Sequence, residues 1–114
     1  MADGDLALVL HAHLPYVRSG EAGSLEEDWY FQALQECYLP LLEMLEAAAA
    51  DPAQAPRLTM GVSPTLLSLL SDPELNGRFV AWLELRLQLL SEAPEALAAA
   101  ACDLRVRLEA ARDQ

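Results

Sequence analysis

Leu6-Ala7-Leu8-Val9-Leu10-His11-Ala12-His13-Leu14-Pro15-Tyr16 runs from five apolar residues into two histidines and a proline, and its reading decides the fold. An unbroken apolar run of this length predicts a strand buried in a core. Side chains alternate along a strand, so His11 and His13 face one side and Ala12 the other. Two imidazoles then share a surface at the strand's carboxyl end, where barrels and doubly wound sheets bind their ligands. Pro15 has no N–H to give a ladder, so the strand stops there.

Outward from this strand the chain turns helical. Val17 to Gly23 is a polar loop, and Ser24 with Glu27 forms the S-x-x-E capping pattern. Phe31, Leu34, Tyr38, Leu41 and Leu45 then recur at spacings of three and four, which predicts one helical face. Pro40 falls inside that face and should bend the helix or divide it. After a Pro-containing loop, residues 57–62 predict a second short strand. Ser63-Pro64 and Asp72-Pro73 each place an N-cap before a proline, the arrangement that opens helices. The second of these helices carries Leu75, Phe79, Leu83, Leu87 and Leu90 on one face, widened by Trp82, Leu85 and Leu89. Ser91 to Pro94 interrupts it, and a last helix carries Leu97, Ala101, Leu104, Leu108 and Ala111. Strand, helix, strand and helices predict an α/β fold with a parallel pair joined by a right-handed crossover. Such a pair needs further strands beside it. Residues 1–114 are therefore expected to be the first part of a larger α/β domain, with no complete domain among them.

Composition narrows the partners. The net charge of -11 comes from 18 acids against seven arginines and no lysine. Nucleic acid and anionic membranes both need a basic footprint, so neither is an expected partner. Cys37 and Cys102 lack any metal-ligand spacing and are expected to be reduced, partly buried thiols of a cytoplasmic protein. The first apolar run is too short for a signal peptide or a membrane span.

Residues 8–18, Leu-Val-Leu-His-Ala-His-Leu-Pro-Tyr-Val-Arg, resemble the first signature region of glycoside hydrolase family 57, most closely that of its 1,4-α-glucan branching enzymes. Two later stretches agree in order and spacing. One is Glu26-Glu27-Asp28-Trp29-Tyr30-Phe31 running on to Tyr38-Leu39-Pro40-Leu41-Leu42. The other is Met60-Gly61-Val62-Ser63-Pro64-Thr65-Leu66 leading to Ser71-Asp72-Pro73. The resemblance implies the amino-terminal portion of an incomplete (β/α)7 barrel. It also implies retaining cleavage of α-glucosidic bonds by a Glu nucleophile and an Asp acid/base, both on later strands. In a branching enzyme the cleaved segment passes to a 6-hydroxyl, as in glycogen synthesis. By that resemblance this chain carries no catalytic carboxylate and is inactive alone. The same family also holds amylases and 4-α-glucanotransferases. A different class, a non-catalytic helical interaction module prone to self-association, stays open.

The resemblance assigns substrate contact to His11, His13, Trp29 and Tyr16, on a glucan such as amylose or glycogen. Each has a plainer alternative: a hydrogen bond between strands for the histidines, packing on the barrel wall for Trp29, and a buried loop anchor for Tyr16. A His-x-His pair also opens metal-dependent amidohydrolase sites, but those need further ligands. With no third histidine and no lysine in the chain, neither metal nor cofactor is expected. Glu26, Glu27 and Asp28 occupy a first helical turn, where acids favour the macrodipole, and read as structural. Trp82, on an apolar face, reads as core.

Overall fold

A computed structural model describes residues 4–18, 23–51, 53, 55, 57–92 and 98–112 of the chain. Strand β1 (Leu8–Ala12) pairs in parallel with β2 (Leu58–Val62), with His11 opposite Gly61 and Ala12 opposite Val62. The connection between them is helix α1 (Leu25–Ala33), a π-helical turn (Leu34–Tyr38) and α2 (Leu39–Ala49). Helices α3 (Pro64–Leu70), α4 (Pro73–Ser91) and α5 (Ala98–Arg112) follow. The alternating strand–helix order and the parallel pairing agree with the sequence reading. Of the interruption expected at Ser91 to Pro94, Ser91 is still helical and Glu92 is the C-cap of α4, while Ala93, Pro94 and also Leu97 lie outside the described residues.

Local chemistry accounts for where the helices begin. Ser24 accepts the Glu27 N–H at 3.3 Å, and the Glu27 carboxylate accepts the N–H of Gly23 at 2.9 Å. This is a capping box whose return bond reaches one residue further back than usual. Gly23 makes that reach with φ +79°, a conformation side chains oppose. Ser63 and Asp72 cap α3 and α4 through the amides of Leu66 and of Glu74 and Leu75, and Pro64 and Pro73 occupy the first turns. Pro40 lacks an N–H, and its ring crowds the carbonyl four residues back. The helix answers by widening: Leu39 N–H bonds Leu34 O, five residues back, which is a π turn.

The core is helical. Tyr30, Phe31 and Leu34 of the first helical stretch bury against Leu66 and Leu69 of α3, Leu75, Phe79 and Leu83 of α4, and Leu108 and Ala111 of α5. Phe31 meets Phe79 and Trp82 at ring-centroid separations of 5.6 and 5.8 Å, in the tilted and edge-on geometries aromatic pairs favour. From the loop after β1, Val17 joins this core.

Three expectations need correction. The strand is not buried on both faces: from Val9 to Leu14 exposed and half-buried residues alternate, and Val9 is 68% exposed. Ala12 and Leu14 pack against the helical core while Val9, His11 and His13 face outward. Among the described residues nothing covers that outward face. Leu85 and Leu89 are exposed and do not widen the α4 face, whose packed stripe runs through Leu75, Phe79, Leu83, Leu87 and Leu90 with Trp82 beside it. Cys37 and Cys102 are free but exposed, each on a helix surface turned from the core. The radius of gyration, 17.5 Å, exceeds the ~13 Å of a compact chain this long. That excess agrees with α2, which buries none of its residues.

Candidate functional site

The parallel pairing brings both strands' carboxyl ends to one edge, and hydrogen bonds brace that edge from beyond the strands. Ser63 N–H extends the ladder to Ala12 O at 3.0 Å, and Thr65 Oγ1 donates to Leu14 O at 2.9 Å. The Ser63 and Thr65 hydroxyls lie 3.1 Å apart. Four residues further on, Arg18 forks its guanidinium onto Asp72 and Glu74 at the start of α4. The segment from His11 to Arg18 is thus tied down at Leu14, at the buried Val17 and at Arg18.

On this braced edge the His11 and His13 rings lie parallel, 10° between planes and 6.0 Å between centroids. Both are exposed on the outward face, as strand alternation requires. Imidazole can donate one hydrogen bond and accept another when neutral, so two aligned rings present a short row of groups suited to hydroxyls. Tyr16, in the braced loop, is 62% exposed, which overturns the buried-anchor alternative: the loop buries Val17 in its place. Trp29, in the second turn of α1, is 54% exposed, so its indole is not packed away among the described residues. No ring contact joins Tyr16 or Trp29 to either imidazole among the described residues. A groove of about 310 Å³ between α2 and α5 is lined by Leu39, Pro40, Val106 and Ala110 and includes none of the four.

The first-turn acids are engaged elsewhere. Glu27 is buried, with Arg78 Nε 3.0 Å from its Oε1 but off hydrogen-bond alignment. Asp28 accepts from Trp82 Nε1 at 2.5 Å, from Arg86 at 3.0 Å and from Gln32 at 3.1 Å. Trp82 is half-buried, roofed on one side by the Arg86 guanidinium 3.9 Å from its ring centre. Tyr30 is fully buried with its hydroxyl unpartnered, and burial pushes its pKa up to about 12, helped by the nearby charge of Asp72 and by Tyr38. Among the described residues no group of three or more His, Cys, Asp or Glu could hold a metal ion, and no helix is long and apolar enough to cross a membrane.

Gly61 is the residue sequence reasoning passed over. Its register opposite His11 brings it beneath that ring, and a Cβ there would stand 3.0 Å from His11 Nδ1. A glycine inside a strand often marks such a close approach, and that signal was present in residues 58–62.

No family model matches the chain. It is 34% identical over 89 residues, 78% of its length, to a 1,4-α-glucan branching enzyme of Thermococcus kodakarensis. Over 75 residues, 65% of its length, it is 40% identical to a probable 1,4-α-glucan branching enzyme of Mycobacterium tuberculosis. It spans only 13% and 14% of those relatives' lengths. Two crystal structures superpose on 94% of the chain while it covers 21% of each: an α-amylase from Thermotoga maritima, with TM-score 0.79 and 30% identity, and a family 57 branching enzyme from Pyrococcus horikoshii, with 0.77 and 28%. In sequence and in fold alike, the chain resembles one part of 1,4-α-glucan branching enzymes, among them one of glycoside hydrolase family 57.

Proposed function

We propose that this chain forms the amino-terminal wall of an α-glucan-active barrel, most like a 1,4-α-glucan branching enzyme, and contributes sugar contacts but no reacting carboxylate. The observation that carries the reading is the aligned, exposed His11–His13 pair on the braced carboxyl edge of β1. Imidazoles held at that edge can hydrogen-bond the hydroxyls of one glucosyl unit, while Trp29 and Tyr16 offer exposed aromatic faces to neighbouring units. Retaining transfer needs two carboxyl groups about 5–5.5 Å apart flanking one sugar. Glu27 and Asp28 are held by arginine, indole and amide partners, which suits a structural role and leaves the nucleophile and acid/base to later strands of the barrel. A cleaved glucan segment would then pass to a 6-hydroxyl rather than to water.

A second reading, hydrolysis or 4-α-glucan transfer by an enzyme of the same family, is favoured by the Thermotoga maritima amylase, which superposes as well as the branching enzyme does. The charge of -11 fits a neutral polysaccharide better than nucleic acid or an anionic membrane, and the protein is read as cytoplasmic.

The test is direct. The purified chain is incubated with amylose and followed by iodine staining and by reducing-end release. The expected result is no branching, hydrolysis or transfer, because contacts without a nucleophile and an acid cannot split a glycosidic bond. Turnover that disappears with Glu27→Gln or Asp28→Asn would contradict the assignment of those acids.

A further inference from the structure

Gly61 lies opposite His11 in the parallel ladder, and the edge of the imidazole carrying Nδ1 rests over it. A Cβ built on Gly61 would meet His11 Nδ1 at 3.0 Å and Cε1 at 3.8 Å. Gly61 has no positive φ, since Gly23 alone does among the described glycines. Its value is therefore the missing side chain and not a special backbone torsion. A glycine in a five-residue strand forgoes packing and conformational restriction, so its presence here calls for a reason, and the ring above it supplies one. We propose that Gly61 is a positioning residue for His11: the bare backbone of β2 leaves room for the Nδ1 edge of the imidazole and so lets the ring lie in line with His13.

The inference rests on the reading of His11 as a sugar contact and adds the residue that orients it. His11 is exposed, so a methyl group at position 61 would not break the strand. It would lift the ring into solvent by some tenths of an ångström or turn it to another rotamer. Misplacement on the ångström scale can cost on the order of a hundred-fold in rate, so a smaller lift predicts about a ten-fold loss.

Two measurements test this. In the 114-residue chain, NMR of the histidine rings should show a contact between the His11 ring and the Gly61 α-protons. Gly61→Ala should shift the His11 ring resonances while the amides of Leu10 and Met60 stay in place. The second measurement uses the chain grafted in place of the matching segment of the Pyrococcus horikoshii branching enzyme. There Gly61→Ala should lower kcat/KM on amylose about ten-fold, and His11→Ala/Gly61→Ala should be no worse than His11→Ala alone. An unchanged His11 spectrum in Gly61→Ala, or an equal further loss in the double variant, overturns the proposal. If His11→Ala leaves kcat/KM intact, the sugar-contact reading fails, while a shifted ring in Gly61→Ala still supports the positioning role. If Gly61→Ala does not fold, recovery of folding in the double variant supports the proposal, and failure of both overturns it.

Discussion

Trp82 donates its indole N–H to Asp28 Oδ1 across the α1–α4 contact at 2.5 Å, and Arg86 donates to the same oxygen while its guanidinium covers the indole. The three side chains close a triangle beside the Phe31–Phe79 ring pair. Because Trp82 is half-buried, its removal costs less than that of a fully enclosed ring. Trp82→Ala should destabilise the chain by ~2–4 kcal/mol, read as a lower urea midpoint for helix loss by circular dichroism. Trp82→Phe should lose less, since the ring stack survives. Equal losses for the two would contradict this account of the contact.

Glu27 and Glu26 are neighbours with opposite fates. Glu27 is buried and accepts the Gly23 amide beside Arg78, whereas Glu26 is exposed. Removing Glu27 leaves Arg78 without its inner partner and an amide unsatisfied, so Glu27→Ala should cost ~2–4 kcal/mol. Glu26→Ala should stay within ~0.5 kcal/mol. Urea unfolding of the two variants side by side separates them, and a comparable effect at both positions would rule out the capping-box role.

Burial without a hydrogen bond holds the Tyr30 phenol protonated up to about 12, against 10 for the free group. Stability linked to this group is present in full below pH ~10 and is lost as pH rises toward 12, because the unfolded chain releases its proton first. Tyr30→Phe removes a buried unpaired hydroxyl. The variant should match or exceed the parent at pH 7, by up to ~1 kcal/mol, and its stability should fall less between pH 10 and 12. A Tyr30→Phe chain that is weaker at pH 7 would reveal a partner for the hydroxyl.

Among the described residues each strand of the sheet has one neighbour, and Leu6 and Val9 are 93% and 68% exposed. Free parallel edges with apolar side chains are templates for pairing. The chain is expected to associate as its concentration rises, and Val9→Lys to shift it toward monomer, as read by sedimentation equilibrium. A monodisperse monomer throughout would contradict this.

How far the sequence could be read depended on how local each feature is. Ser63-Pro64 and Asp72-Pro73 mark helix starts within two or three residues, so those boundaries were legible. The shared face of His11 and His13 follows from strand alternation alone. Burial of the strand was not legible, because it depends on what covers Val9 and His11 and not on their own apolar run. The close approach of His11 to Gly61, the Arg18 fork onto Asp72 and Glu74, and the Asp28–Trp82 bond all join residues about fifty positions apart. No periodicity within one element reports such pairs. Pro40 announced an interruption, but its form as a π turn came from the need to clear a carbonyl while keeping the helix going.

The central claim, that β1 carries a sugar contact, is tested most directly by His11→Ala in the grafted branching enzyme. kcat/KM on amylose is measured beside the melting temperature. A lost hydrogen bond to a transition-state hydroxyl is worth about 1–3 kcal/mol, so kcat/KM should fall roughly ten- to hundred-fold with Tm unchanged. A lower Tm with kcat/KM intact would make His11 a structural histidine and contradict the account.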